Sequence, residues 1–112
     1  MKPDIKTYLL NDYGTKFFGD GPYFLLLGIN KYGSLKASAA NMGMAYSKAS
    51  RIIHTAENSL GYELTTKIIG GNKGGGSTLT EKGKEFILKY EEYRKLSKKA
   101  NEQIFKEIFL KQ

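Results

Sequence analysis

The segment between Gly43 and Gly61 fits only one kind of regular structure. From Ala45 to Leu60 the apolar side chains recur at positions 45, 49, 52, 53, 56 and 60. Steps of three and four residues place them on one side of an α-helix, whereas a half-buried strand would alternate. Gly61 suits the end of such a helix, because glycine readily adopts the left-handed backbone found there. The pattern predicts an amphipathic helix over residues 45–60.

Two helices are predicted before this one. Residues 23–31 are crowded with apolar side chains and are followed by Gly33, which indicates a buried helix with a glycine end. Ser34 is a good N-cap for a short alanine-rich helix over residues 35–42. Two helices joined by a turn containing Gly43 form a helix-turn-helix pattern, in which the second helix enters the major groove of DNA. Upstream, residues 5–10 and 17–18 flank turn-forming residues and predict a short hairpin.

A second hairpin is predicted after the helix-turn-helix, around the stretch GGNKGGGST at residues 70–78. Residues 63–69 favour a strand, and residues 77–79 can return as its partner. Gly71 and Gly76 have the spacing of a phosphate-binding P-loop, but Ser77 stands where the lysine should be and no helix follows directly. Two interpretations stay open: a hairpin tip without a ligand, and a wing whose glycines approach a sugar-phosphate backbone while Lys73 supplies charge.

The last segment predicts a single long helix. Thr80 is a plausible N-cap, and no helix breaker occurs from Lys84 to Gln112. A helix of this length would extend roughly 40 Å and outreach the small domain before it. Such a helix usually pairs with another helix. We therefore expect a dimer contact through its apolar side, formed by Phe86, Tyr90, Tyr93, Ala100, Ile104 and Ile108.

Charge and composition narrow the function. The formal net charge is +7, and residues 31–78 carry six basic but only two acidic side chains, which suits a polyanionic partner. The absence of cysteine excludes disulfides and thiolate metal sites. We expect no membrane segment, no signal peptide and a cytoplasmic protein. No acid–base pair or nucleophile arrangement is visible, so we expect no enzyme.

Ten residues are candidate DNA contacts. Arg51 and Lys48 are the strongest, because arginine donates in a fork to guanine, although a solvated helix face would look the same. Ser34 and Lys36 begin the preceding helix, where Ser34 could hold a phosphate or act only as a cap. His54 is either a peripheral phosphate contact or a surface group. The full set is Ser34, Lys36, Tyr46, Ser47, Lys48, Ser50, Arg51, His54, Lys67 and Lys73.

Three ordered motifs resemble a known family. They are FFGDG at residues 17–21, YGSLKASAANMGMAYSKAS at residues 32–50, and GGNKGGGSTLTEKG at residues 70–83. Together they resemble the DNA-binding part of the molybdate-responsive, ModE-type transcription regulators, which is related to the N-terminal domain of LysR-type regulators. The resemblance spans roughly residues 5–95 and implies a winged-helix, sequence-specific DNA binder that acts as a dimer.

Two departures from the family pattern have consequences. Ala45 stands where the family has serine or threonine, so the recognition helix should lack a side-chain cap, at a cost of about 1 kcal/mol. The molybdate-binding domain of full-length members is not expected in these 112 residues, and we expect no cofactor. Whether a small-molecule effector exists is left open.

The sequence thus predicts an α+β fold: a winged helix-turn-helix domain with a long C-terminal dimerisation helix. Residues 1–80 would form the N-terminal hairpin and DNA-binding domain, with the wing at about 63–80, and residues 81–112 the long helix. The expected function is transcription regulation by a homodimer on double-stranded DNA, with residues 45–60 as the recognition helix. The alternatives are a winged-helix protein-interaction module and a DNA-architectural protein of low sequence preference.

Overall fold

The computed structural model describes residues 1–68 and 76–110. Four α-helices and two small antiparallel sheets make up the described part of the chain, which confirms the α+β class. The elements, in chain order, are β1 (Leu9–Leu10), β2 (Lys16–Phe18), α1 (Asp20–Tyr32), α2 (Leu35–Asn41), α3 (Tyr46–Leu60), β3 (Thr65–Ile68), β4 (Gly76–Leu79), α4 (Glu81–Phe105) and a π-helical turn (Lys106–Leu110).

The core forms where α1 crosses α2 and α3. Leu25, Leu26 and Ile29 of α1 are almost completely buried, as the apolar crowding of that segment predicts. Gly28 lets α2 approach α1 closely, since a Cβ at this position would lie 2.8 Å from the Cβ of Ser38. The Ser38 hydroxyl donates to the main-chain oxygen of Leu25 at 2.7 Å, which satisfies this buried polar group.

The ends of the helices agree with the sequence at most positions. Ser34 caps α2 and Thr80 caps α4, each accepting from a main-chain nitrogen three residues later. Gly33 and Gly61 end α1 and α3 with positive φ. Helix α1 begins at Asp20, three residues before the apolar run that starts at Tyr23, and Pro22 lies in its first turn, where proline is tolerated.

The predicted wing is present as β3 and β4. The two strands pair antiparallel, from Thr65 opposite Leu79 to Ile68 opposite Gly76. The main-chain nitrogen of Ser77 donates to the main-chain oxygen of Gly33 at 2.9 Å, which ties the wing to the junction between α1 and α2. The expected tip, including Lys73, lies outside the described residues.

The first turns of α4 belong to the core. Phe18 of β2 is fully buried, and its ring meets those of Phe86 and Tyr90 edge-on at 4.7 and 4.8 Å between centroids. The Tyr90 hydroxyl donates to the main-chain oxygen of Thr7 at 2.9 Å, so the segment before β1 is also held. The N-terminal hairpin and the long helix thus pack on each other.

Further along α4, a polar cluster connects the helix to the start of α1. The Tyr23 hydroxyl donates to Glu91 at 2.5 Å. Arg94 lies 3.7 Å from Asp20 and stacks over the rings of Tyr23 and Phe24. Beyond Arg94 the side chains are mostly exposed, and the helix gives the molecule its longest dimension of 64 Å.

Candidate nucleic-acid interface

Helix α3 presents one polar side because its other side is built to pack. Ala49, Ile53 and Ala56 are buried, and the small alanines allow close approach to the neighbouring helices. Ala45 precedes the helix in an extended conformation and makes no side-chain cap hydrogen bond, because its methyl group has no acceptor. The helix ends at Leu60, so the predicted range of 45–60 is confirmed as a helix with its cap residue.

The sequence-predicted contacts on α3 lie on its exposed side. Ser47, Lys48, Arg51 and His54 are exposed, and Tyr46 is 49% exposed. From Tyr46 to Ala56 the helix has no acidic residue. Helical spacing puts Ser47 and Arg51 near the middle of this surface, with the remaining polar groups on its two flanks. The first three turns of α3 therefore present hydroxyl groups and cations to solvent.

One flank of α3 forms a groove with the wing. This cavity of about 290 Å³ brings together Tyr46, Ser50, His54 and Lys67, four of the candidate residues. Thr65 and Ser77 of the wing also line it. Lys67 is exposed on β3, whereas Ser50 on α3 is half-buried. The groove thus joins α3 and the wing into one surface.

Two carboxylates reduce the positive charge of this wing-side groove. Glu57 and Glu63 both line it. The Glu57 side chain, 16% exposed, accepts a hydrogen bond from the Leu64 main-chain nitrogen at 2.8 Å and lies 3.7 Å from Nδ1 of His54. Glu57 is therefore a structural anchor between α3 and the strand that follows, a role that the sequence alone did not reveal.

The opposite flank of α3 forms a second groove with the N-terminal hairpin. Its volume is about 340 Å³, and it is lined by Lys16, Phe17, Pro22, Arg51, Ile52 and Thr55 among others. The described side chains around it include two cations and no carboxylate. Lys16 could not be recognised from the sequence, because it is remote from α3 along the chain and only the packing of β2 brings it to the same groove as Arg51.

At the start of α2, the two interpretations of Ser34 are partly resolved. Its hydroxyl oxygen accepts from the Ala37 main-chain nitrogen at 3.0 Å, so Ser34 is a cap. Lys36 is exposed in the first turn and stays a candidate phosphate contact. Ser34 is half-buried, and the cap uses only an acceptor lone pair of its hydroxyl, so the O–H group can still donate to a phosphate.

Comparison with known proteins gives one partial match. Over 66 residues, the chain is 35% identical to the molybdenum-pterin-binding protein MopB of Rhodobacter capsulatus. The aligned part is 59% of this chain and 24% of MopB, so the chain spans about a quarter of that relative. No protein-family model matches the chain. The likeness agrees in part with the resemblance to molybdate-responsive regulators.

The proposed dimer residues separate into two groups. Phe86 and Tyr90 were expected on the dimer contact, but Tyr90 is only 2% exposed and both rings pack on Phe18. Tyr90 is therefore a core residue and Phe86 is partly buried against the core, because the first turns of α4 cover the hairpin instead of projecting from the domain. Tyr93, Ala100, Ile104 and Ile108 are exposed and stay predicted partner contacts.

Two further observations concern metal binding and membrane-spanning helices. Within residues 1–68 and 76–110, no group of three or more histidine, aspartate or glutamate side chains could hold a metal ion. None of the helices in these ranges is both long enough and apolar enough to cross a bilayer.

Proposed function

We propose that the chain binds double-stranded DNA through α3 and the wing and regulates transcription as a homodimer. The supporting observation is the exposed side of α3, where Lys48, Arg51 and His54 project among hydroxyl groups and no acidic residue occurs before Glu57. A helix with its side chains is about 10–12 Å across and matches a major groove about 12 Å wide. Arg51 lies near the middle of the surface that would enter the groove.

The roles of the individual side chains follow from their chemistry. Arg51 can donate two parallel hydrogen bonds to a guanine edge, and such a pair discriminates by about 1–3 kcal/mol. Ser47 and Lys48, in the first turn, can contact phosphates or base edges. Tyr46 and Lys67 line the wing-side groove and would meet the backbone beside the helix. Phosphate contacts fix the register, and base contacts supply the sequence preference.

The homodimer part of the proposal depends on α4. Tyr93, Ala100, Ile104 and Ile108 are exposed on the projecting half of the helix, and Ile104 and Ile108 are 53% and 67% exposed. A second copy of the same helix would cover these side chains and remove their apolar surface from water. A symmetric dimer would then present two recognition helices to half-sites about one or more helical turns apart.

The name of MopB refers to molybdenum-pterin binding, and the aligned part is only 24% of that protein. For this chain we propose DNA binding. The likeness to MopB suggests only that the regulated genes concern molybdenum, and we do not propose that the chain binds molybdenum itself. We expect calorimetric titration with sodium molybdate to show no heat of binding. Saturable heat would mean that the chain itself senses the oxyanion.

The test of DNA binding is fluorescence anisotropy with a labelled mixed-sequence duplex over a salt series. Non-specific dissociation constants of about 10⁻⁴–10⁻⁶ M and a log–log salt slope near −0.9 per phosphate contact are expected. A duplex selected from a random library then serves as the specific probe. On it, Arg51→Ala should weaken binding by about 5- to 150-fold, the equivalent of about 1–3 kcal/mol.

The matched control is Lys95→Ala, which removes one exposed cation from α4 on the side opposite its apolar residues. Circular dichroism establishes that each variant is folded. If Arg51→Ala and Lys48→Ala both bind the selected duplex like the unmodified chain, α3 is not the recognition helix. Binding with a steep salt slope but without sequence discrimination would indicate an architectural protein instead.

A further inference from the structure

Among the residues that the structure describes, the groove between α3 and the N-terminal hairpin is lined by positive charge without a carboxylate, unlike the wing-side groove. Lys16 of β2 and Arg51 of α3 both line it, and no carboxylate is among its described lining. The wing-side groove contains Lys67 and His54 but also Glu57 and Glu63. The hairpin-side groove therefore attracts an approaching polyanion more strongly than the wing-side groove does.

The hairpin is fixed in place, so Lys16 extends from a rigid base. Phe18, two residues further along β2, is fully buried in the core. The turn is closed by a hydrogen bond from the Asn11 main-chain nitrogen to the Thr15 main-chain oxygen at 2.8 Å. Asn11 also donates from Nδ2 to the hydroxyl of Ser59 near the end of α3, at 3.2 Å. The hairpin is thus joined to α3 through Asn11 and anchored in the core through Phe18.

The Lys16 side chain is exposed and lies over the Tyr8 ring, with its Nζ 4.9 Å from the ring centre. The nearby carboxylate of Asp20 lies 3.7 Å from Arg94. Lys48 precedes Ile52 by about one helical turn and therefore lies on the hairpin flank of α3. Lys16 and Lys48 thus lie on the hairpin side of Arg51, which is nearer the middle of the recognition surface.

We infer that this hairpin flank contacts the sugar-phosphate backbone of double-stranded DNA through Lys16. The inference rests on the proposed DNA-binding function and deepens it. When a helix occupies a major groove of about its own width, a phosphate strand runs past each of its flanks. The wing lies beside one strand, and β1–β2 beside the other. The N-terminal hairpin therefore acts as a second wing and sets the register of α3 from the opposite side.

The test is the salt dependence of binding by Lys16→Ala on both the mixed-sequence and the selected duplex. Loss of one phosphate contact should lower the magnitude of the log–log salt slope by about 0.9. The affinity should fall by the same factor on both duplexes, because a phosphate contact carries no sequence information. Lys16→Arg keeps the charge and should restore the slope.

Lys6→Ala is the matched control, since Lys6 is also an exposed lysine of the N-terminal segment but does not line the groove. Thermal unfolding of each variant separates loss of contact from loss of fold. An unchanged slope in Lys16→Ala, with Arg51→Ala still weakening the selected duplex, overturns the hairpin contact and leaves the DNA-binding function intact. Absence of salt-dependent binding by the unmodified chain overturns both.

Discussion

Gly28 of α1 and Ser38 of α2 face each other where the two helices pack together. A Cβ on Gly28 would come within 2.8 Å of the Ser38 Cβ and still closer to its hydroxyl oxygen. The same hydroxyl donates to the Leu25 main-chain oxygen at 2.7 Å, so it cannot move away without losing a buried hydrogen bond. The position of α2, and with it the turn into α3, depends on residue 28 being a glycine.

Gly28→Ala should therefore destabilise the domain, although alanine favours helices. Overpacking of this kind costs about 1–3 kcal/mol, and about 4–8 °C of Tm is lost per kcal/mol in a domain of about this size. Thermal unfolding followed by circular dichroism measures the change. The matched control is Gly21→Ala in the same helix, where nothing lies within 4 Å of the added Cβ. Equal Tm values for the two variants would contradict the close crossing.

Thr80 joins the wing to α4 with both atoms of its hydroxyl group. Its oxygen accepts from the Gly83 main-chain nitrogen at 2.9 Å, and it donates to the Glu63 main-chain oxygen at 2.7 Å. Thr80→Ala should lower the free energy of unfolding by about 1–2 kcal/mol, because a helix cap is lost and a carbonyl group loses its donor. Thr80→Ser keeps the hydroxyl, and urea unfolding should give nearly the unmodified value. A deficit as large as that of alanine would show that the methyl group matters instead.

Tyr23 makes stability sensitive to alkaline pH. Burial, together with the hydrogen bond to Glu91 and its negative charge, raises the pKa of Tyr23 from 10.0 to about 12, and nearby Arg94 acts in the opposite direction. The folded state thus favours the neutral phenol. The stability that this preference contributes is complete below pH 10 and is lost as the pH rises toward 12.

Urea unfolding between about pH 9 and 12 should therefore show a steeper loss of stability for the unmodified chain than for Tyr23→Phe, which has no phenol to ionise at this position. Tyr13→Phe is the control, since Tyr13 is 95% exposed. The phenolate absorbance of the unmodified chain should also include one late-titrating tyrosine that Tyr23→Phe lacks. Parallel stability curves for the unmodified chain and Tyr23→Phe would contradict the raised pKa.

Substitution of Ile104 tests the dimer contact that we propose on α4. It is 53% exposed on the projecting half of the helix, so Ile104→Glu should leave the fold intact and abolish self-association. Sedimentation velocity over a concentration series measures the oligomeric state. Leu88→Glu is the control, because Leu88 is 66% exposed on α4 but lies off the apolar side by helical spacing. A variant Ile104→Glu that still dimerises would place the contact elsewhere.

The sequence predicted the elements whose signals are local. The steps of three and four in α3, the hydroxyl caps Ser34 and Thr80, and the glycine ends all specify structure within a few residues, and each was confirmed. The burial of Tyr90 was not predictable in this way. Periodicity shows that one side of a helix is apolar, but it does not show whether the same molecule or another copy covers that side.

In the candidate interface, too, some residues could be predicted from the sequence and others could not. The polar residues of α3 followed from the helical pattern, because residues opposite a buried stripe must face solvent. Lys16 and Glu57 did not, since their surroundings depend on tertiary packing: Lys16 approaches Arg51 only through the hairpin, and Glu57 is used by the main chain of Leu64. Charge counted along the sequence could not reveal that the two flanks of α3 differ.

Helix α4 begins inside the core and continues into solvent, and this division has a consequence for assembly. Because Ile87 and Tyr90 complete the core of their own chain, the domain can fold before it meets a partner. If the proposed homodimer forms, dilution should separate its two copies without unfolding either, unlike an obligate dimer whose stability depends on protomer concentration. The cellular amount of the protein would thereby set the fraction of paired recognition helices, while the Tm of the domain would change little with concentration.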